Sequence, residues 1–158
     1  LVGNVGAAPA IDRGKGFRET AEACGITVVN SQTANWSVVE GKQVTEAWLK
    51  ESKDVQGIFG QNDEMAFGAI EALKEAGLTP AVDVKIISVD ATSGAFQAML
   101  DGTLNVTVEC NPLLAPQVYE AALAALNGET LPKWIPSQES VFYMDDPNLK
   151  DIAAGRKY

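Results

Sequence analysis

Three polar residues of this chain stand where their side chains could hold a small polar ligand. Asn62 follows the apolar segment Val55–Phe59, Asp90 directly follows the apolar run Val84–Val89, and Arg13 lies in the first turn of a predicted helix. Residues that come directly after parallel strands meet at the carboxyl edge of an open α/β sheet, where such folds bind their ligands. An amide, a carboxylate and a guanidinium at that edge would offer several hydrogen-bond donors and acceptors to one molecule.

Each of these three residues also has a purely structural explanation. Asn62 is a favourable helix N-cap, because its side-chain oxygen can accept a free backbone N–H. Asp90 could cap a helix or simply occupy a loop, and Arg13 could cover apolar neighbours with its stem. A cation in the first turn of a helix is unfavourable beside the positive end of the helix dipole, so Arg13 calls for a specific interaction. The residues alone leave both explanations open.

Two further side chains belong to the candidate set. Trp36 lies in the polar loop 31–37, where its indole either stacks on the apolar face of a ligand or covers the edge of the core. Glu109 and Asn111 point to one side of their strand if side chains alternate, and both flank Pro112. All of these residues require a fold that brings separate strand ends together.

Alternating strands and helices would provide that fold. The pattern predicts strands at 1–5, 27–30, 55–59, 84–89 and 104–108, helices at 12–23, 38–52 and 93–100, and a helix that Asn62 opens and Gly77 ends. Parallel neighbours need a crossover long enough for a helix, so this order predicts an open, doubly wound parallel α/β sheet with helices on both faces. A strongly apolar helix at 116–126 and a short strand at 140–143 follow.

Composition narrows the function. The chain has 158 residues, 46% of them hydrophobic, which suffices for one core, and its net charge of -9 disfavours nucleic acid as a partner. It contains no His, so Ser-His-Asp and Cys-His nucleophile pairs and His-based metal sites are unavailable. Cys24 and Cys110 lie far apart without a CxxC context, and no disulfide between them is expected. We therefore predict a protein that is not an enzyme and needs no cofactor or metal.

The segment QNDEMAFGAIEALKEAG at 61–77 closely resembles the sugar-binding proteins of bacterial ABC importers, in the ribose- and galactofuranose-binding group. The likeness extends over nearly the whole chain, through AIDRGKGF at 10–17, Ser31-Gln32, Gly41-Lys42, Ser88-Val89-Asp90 and Asn111-Pro112. It implies one lobe of a two-lobed, type I periplasmic binding protein, with the sheet order 2-1-3-4-5. It also implies that residues 1–111 form the C-terminal sugar-binding lobe, 112–133 a crossover helix of the N-terminal lobe, and 134–158 the return segment.

The resemblance also assigns roles to the candidate residues. It implies that Arg13, Trp36, Asn62, Asp90 and Glu109 bind a monosaccharide, with Trp36 stacking on the C–H face of the sugar ring. Relatives of the ribose type carry Gln where this chain has Cys110, whereas galactofuranose-type relatives share the Glu at position 109. This departure makes a ribose-specific site doubtful and favours another sugar.

The implied function is the capture of a monosaccharide and its delivery to the permease subunits of an ABC transporter. The implied location is the periplasm, or the cell exterior with a lipid anchor in a Gram-positive bacterium. The alternative is the effector-binding lobe of a lactose-repressor-type regulator, which shares the fold. The ending GETLPKWIPSQESVFYMDDPNL at 128–149 resembles the transporter proteins. If the other lobe is absent, the helix at 116–126 should fold back on its own lobe or form a homodimer, and we expect the homodimer.

Overall fold

A four-stranded sheet in the order β1-β2-β3-β4 organises the chain, which a computed structural model describes over residues 1–158. The strands are β1 (Gly57–Phe59), β2 (Lys85–Asp90), β3 (Val106–Glu109) and β4 (Val141–Tyr143). The helices are α1 (Ala8–Ala23), α2 (Val38–Glu51), α3 (Asp63–Glu75), α4 (Ser93–Leu100), α5 (Ala115–Leu126) and α6 (Leu149–Ala154). Strands β1, β2 and β3 are parallel, and β4 pairs antiparallel with β3. None of the helices combines the length and the apolar character that crossing a bilayer requires.

Helices cover both faces of the sheet, which confirms the predicted α/β class. Ile58 pairs with Ile86 in the parallel register, and both are buried on the face toward α3. Phe59 points the other way, where its ring stacks on Phe17 of α1 with centroids 4.5 Å apart. The alternation of side chains along β1 thus divides the helices between two faces.

Strands β1, β2 and β3 correspond to the third, fourth and fifth strands of the predicted order 2-1-3-4-5 and are neighbours as predicted. The first two predicted strands are wrong. Leu1 accepts a backbone hydrogen bond from Gln61 just beyond β1, and Val2 forms a single parallel bridge with Thr33. Residues 1–5 and 27–30 therefore form no regular strands. The single bridge involves Thr33, which lies outside 27–30, so the predicted second strand does not pair with residues 1–5.

Helix α1 begins at Ala8, four residues before the predicted start at Asp12. Pro9 stands at the helix start, where its missing N–H and fixed φ suit the first turn. Arg13 consequently lies in the second turn, away from the positive end of the helix dipole, so the electrostatic argument for a special role of Arg13 was wrong. The short helix α6, which the sequence pattern did not predict, packs on α4 and buries Leu149.

Helices α2 and α3 approach each other closely through two glycines. A Cβ added at Gly68 would lie 2.1 Å from the carbonyl oxygen of Val38 and 2.5 Å from the backbone nitrogen of Lys42. A Cβ at Gly41 would lie 2.6 Å from the carbonyl oxygen of Met65. Both helices begin at the carboxyl edge of the sheet, so this contact fixes the distance between Trp36 and Asn62, the residues at their starts.

Helix α5 has no buried residue, although its composition is strongly apolar. Val118 is 62% exposed and Leu126 83% exposed, and nearby Trp134 is 80% exposed. A side-chain hydrogen bond from Gln117 to the carbonyl oxygen of Pro136 ties the helix to the following segment. The predicted alternative in which this helix folds back on its own lobe is therefore wrong.

Candidate functional site

Arg13 and Asp90 form an ion pair at the carboxyl edge of the sheet. Arg13 Nη2 lies 3.3 Å from Asp90 Oδ1, and Arg13 Nη1 donates to the carbonyl oxygen of Gln61. Their side chains are 21% and 32% exposed, so the pair is partly buried yet reachable from solvent. The guanidinium has further N–H groups to offer, and the carboxylate has further lone pairs. The pair can therefore bind a molecule that both donates and accepts hydrogen bonds.

Burial makes the Asp90 carboxylate unusual. Burial is the main cause that raises the pKa of Asp90 to about 6; the Arg13 charge opposes the rise, and the charge of Asp63 adds to it. Water therefore satisfies this carboxylate poorly, and a ligand hydroxyl that donates to it would replace missing solvation. Asp90 also adopts φ 115° and Ala91 φ 57°, values that favour glycine.

Asn62 does two things at once. Its Oδ1 accepts the backbone N–H of Met65 at 3.0 Å, which is the predicted N-cap of α3. Its Nδ2 lies 3.4 Å from the carbonyl oxygen of Trp36, which links the starts of α3 and α2. The structural explanation of Asn62 is therefore correct, and it leaves one amide proton and one lone pair for a ligand.

Trp36 lies flat over the backbone of Gly3. A Cβ at Gly3 would come within 2.0 Å of the indole, so only glycine permits this contact. Trp36 has φ 62° and packs partly against the core cluster, and the guanidinium carbon of Arg13 lies 5.8 Å from its ring centroid. The side chain thus covers the core edge, as one of the two predictions stated, and it also borders the Arg13–Asp90 pair.

Gln61 holds the helix that carries Arg13, a function that the sequence pattern did not indicate. It is 1% exposed; its Oε1 accepts the N–H of Gly3 at 2.9 Å, and its Nε2 donates to the carbonyl oxygen of Ala10 at 2.9 Å. In the sequence, only the position of a polar residue between a strand and an N-cap could have indicated this function of Gln61. Gln61 therefore orients the start of α1 and, through its own carbonyl, the Arg13 guanidinium.

The Glu109 carboxylate faces a different set of partners. Its Oε1 accepts from Arg156 Nη1 at 2.8 Å and from the Tyr158 hydroxyl at 2.6 Å, and its Oε2 accepts the N–H of Ser140 at 3.1 Å. Burial raises its pKa, but the hydrogen bonds from Tyr158 and Arg156 outweigh burial and leave the pKa below its usual value. Glu109 pairs with Asp90 in the β2–β3 register, yet three of its acceptor positions are already used.

Cys110 follows Glu109 at the same edge, and its backbone nitrogen donates to the carbonyl oxygen of Asp90 at 3.3 Å. Both Cys110 and Cys24 are free and exposed. Burial and the nearby carboxylates raise the pKa of the Cys110 thiol despite the opposing Arg13 charge. A neutral thiol is a weak hydrogen-bonding group, so this position offers a ligand mainly apolar contact.

The structure thus brings four of the five predicted residues to one place: Arg13 beside Asp90, Trp36 beside Arg13, and Asn62 beside the main chain of Trp36. No group of three or more His, Cys, Asp or Glu side chains is arranged to hold a metal ion. The arrangement supplies donors, acceptors and one aromatic face around an open surface. Such a surface suits a neutral molecule that carries several hydroxyl groups and patches of C–H.

A second concavity, of about 560 Å³, lies between α5 and the segment that returns from it. It is lined by Leu114, Pro116, Gln117, Glu120 and Ile135, among others. Exposed apolar side chains of α5 continue its surface. This concavity has no charged pair comparable to Arg13 and Asp90, so it suits a protein surface better than a small polar ligand.

Comparison with known proteins identifies a common family. A family model described as "Periplasmic binding protein domain" matches residues 1–130. The galactofuranose-binding protein YtfQ of Escherichia coli is 36% identical over 156 residues, which cover 96% of this chain and 49% of that protein. The fructose import binding protein FruE of Bifidobacterium longum is 40% identical over 144 residues, which cover 90% of this chain and 43% of that protein.

Solved structures agree with these relatives. The periplasmic binding protein of the arabinose ABC transporter from Shewanella sp. ANA-3, bound to α- and β-L-arabinofuranose, superimposes with a TM-score of 0.89 at 38% identity. The match covers 99% of this chain and 53% of that one. The chain therefore spans about half the length of the relatives that it matches.

Proposed function

This chain belongs to the periplasmic binding protein domain family, and on that premise we propose that it is the C-terminal sugar-binding lobe of a solute-binding protein. The complete protein would capture a monosaccharide between two lobes and deliver it to the permease of an ABC importer. The observation that carries the proposal is the cluster of Arg13, Trp36, Asn62 and Asp90 at the carboxyl edge of the sheet. The family name and the named relatives, which are binding proteins, support binding rather than catalysis as the function of this cluster.

Each residue of the cluster would recognise a different part of the sugar. The Asp90 carboxylate would accept hydrogen bonds from two adjacent hydroxyl groups, and the Arg13 guanidinium would donate to hydroxyl or ring oxygens. The free amide proton of Asn62 would donate to a third oxygen, and the indole of Trp36 would contact the C–H face of the ring. The Glu109 carboxylate already accepts three hydrogen bonds, which leaves it few positions for a sugar. Its contact with the sugar stays a prediction.

The names of the relatives support a sugar and an importer over the repressor alternative. The galactofuranose-binding, fructose import and arabinose transporter proteins all carry sugar-binding functions in their names. Two of the three sugars are named as furanose forms. We propose a monosaccharide of this class as the ligand, and the weakly polar Cys110 at the edge of the site fits a sugar other than ribose.

The same reasoning extends to partners and location. The family name and the named relatives support a periplasmic protein, and a lipid-anchored form outside a Gram-positive cell is the other version of the proposal. Permease subunits would be the protein partners. Residues 112–133, which include α5, would cross to the N-terminal lobe, and 134–158 would return to the lobe described here. The absence of buried residues in α5 supports this division of the chain.

The first test replaces Asp90 with Ala in a two-lobed protein that contains this chain. We expect a loss of about 1.5–3 kcal/mol of sugar affinity, the value of a hydrogen bond to a charged group. This equals a roughly 10- to 150-fold weaker Kd in titration calorimetry with D-ribose, L-arabinose, D-galactose and D-fructose as probes. Asp54→Ala is the matched control, because Asp54 is exposed, lies before the amino end of β1, and has a side chain that hydrogen-bonds only Gln56. Unchanged affinity in the Asp90 variant would remove Asp90 from the site.

A second test concerns the 158-residue chain on its own. We propose that the apolar surface of α5 then pairs with a second copy, because symmetric self-association is a common way to cover exposed apolar area. Leu123→Glu with Leu126→Glu should convert a dimer to a monomer in sedimentation velocity, with the circular dichroism spectrum unchanged. Val29→Glu with Val82→Glu is the control pair, because both residues are exposed and lie outside α5. A monomeric unmodified chain at high concentration would contradict the dimer.

A further inference from the structure

Asp63 is fully buried and accepts hydrogen bonds from three residues that lie 25 to 44 positions away from it in the sequence. Its Oδ1 accepts from the hydroxyls of Ser88 on β2 and Thr107 on β3, the latter at 3.0 Å. Its Oδ2 accepts the backbone N–H of Thr92 at 2.8 Å and the Thr92 hydroxyl at 2.9 Å. Asp63 is 0% exposed and has no cationic partner, so its negative charge is satisfied by these four donors alone. A helix start needs no such network.

The network surrounds the short turn that carries Asp90. Residues Asp90 and Ala91 both have positive φ without being glycine, so the surrounding structure must hold them in place. The N–H of Ala91 donates to Thr107 Oγ1 at 3.1 Å, and the N–H of Thr92 donates to Asp63. The hydroxyl of Thr107 therefore accepts from the turn and donates to Asp63 at the same time. Asp63 thus holds the N–H of Thr92 directly and the N–H of Ala91 through Thr107, two successive backbone groups after Asp90.

We infer that Asp63 is a positioning residue, which acts through Thr92 and Thr107 to hold the Asp90 carboxylate in the proposed sugar site. The sugar ligand in this inference rests on the proposed function, whereas the effect of Asp63 on the position of Asp90 does not. Without the network, the turn would relax toward negative φ, because non-glycine residues prefer that region. The Asp90 carboxylate would then turn away from Arg13, and the edge of the site would lose its main acceptor.

Thr107 and Ser88 form a matched pair for the test. Both are 0% exposed, and each donates one hydroxyl to Asp63 Oδ1. Only Thr107 also accepts the N–H of Ala91. A purely stabilising network predicts that Thr107→Val and Ser88→Ala have similar effects on every readout. The positioning function predicts that Thr107→Val displaces Asp90 and that Ser88→Ala does not.

The first readout uses the 158-residue chain and needs no sugar. Carbon-13 NMR titration of the Asp90 carboxyl should give a midpoint near the raised pKa of about 6 in the wild type and in Ser88→Ala. In Thr107→Val the pKa should fall by about half a unit or more toward its ordinary value, because the loss of burial, the largest cause of the rise, outweighs the loss of the smaller, opposing effect of Arg13. Equal midpoints in Thr107→Val and Ser88→Ala would overturn the inference.

The second readout is sugar affinity in the two-lobed protein. Thr107→Val should weaken binding about tenfold, roughly 1.4 kcal/mol, whereas Ser88→Ala should stay within about twofold. Similar losses in both variants would also overturn the positioning function. If the wild-type protein binds none of the probe sugars, the proposed function fails, and the NMR titration of Thr107→Val against Ser88→Ala still decides whether the hydrogen-bond network around Asp63 positions Asp90.

Discussion

On its own, the 158-residue chain should bind a monosaccharide with a Kd in the millimolar range or weaker, roughly -4 kcal/mol or less favourable. The reason is that this chain contacts the sugar from one side only. The Arg13 and Asp90 side chains are 21% and 32% exposed, so a sugar resting on them would stay largely in water. A hydrogen bond from a sugar hydroxyl that is still open to water mainly replaces one to solvent and adds little net free energy.

Joining the second lobe should increase affinity by about a thousandfold or more. Four added hydrogen bonds, at about 1 kcal/mol each in a closed cleft, already amount to roughly 4 kcal/mol, or about a thousandfold in Kd. Titration calorimetry with the same sugar on the chain and on the two-lobed protein measures this difference directly. Asp90→Ala in the isolated chain serves as the baseline for contacts outside the site. Micromolar binding by the chain alone would show that one lobe suffices, and the two-lobed mechanism would then be unnecessary.

The parts of the fold that follow from local sequence rules were predictable. Asn62 caps α3 and Gly77 follows its end, as the residue types indicate, and α4 has the predicted bounds 93–100. The position of Asp90 at a strand end also followed from an apolar run that ends in a carboxylate. These rules involve residues only a few positions apart, so one sequence contains all of the necessary information.

The features that could not be predicted depend on distant partners. Residues 27–30 have the composition of a strand, but a strand forms only where a neighbour offers a ladder of backbone groups. The strand pattern predicts that Glu109 is available to a ligand, but Arg156 and Tyr158, 47 and 49 residues away, donate to its carboxylate. Asp63 looked like a charge in the first helical turn, whereas its four donors come from residues 88, 92 and 107.

The close contact between α2 and α3 predicts the largest effect on stability. Gly68→Ala should lower the free energy of unfolding by about 3 kcal/mol, the upper end of the usual cost of overpacking. The new Cβ would meet backbone atoms of Val38 and Lys42 rather than a flexible side chain, so the whole of α2 must move. Urea unfolding followed by circular dichroism measures the change, with the slope of the transition expected to stay constant.

Gly16→Ala is the matched control for this substitution, because it adds the same methyl group to a helix where nothing lies within 4 Å. Removing a glycine from an exposed helix interior should stabilise the chain by about 0.5–1 kcal/mol, so the two variants should move in opposite directions. Equal stability of Gly68→Ala and the wild type would mean that α2 and α3 separate at little cost. A movement of α2 also carries Trp36 away from Asn62, whose amide lies 3.4 Å from the Trp36 carbonyl oxygen. Gly68→Ala should therefore weaken sugar binding in the two-lobed protein even at low temperature, where the variant is folded, because the helix contact sets the width of the site.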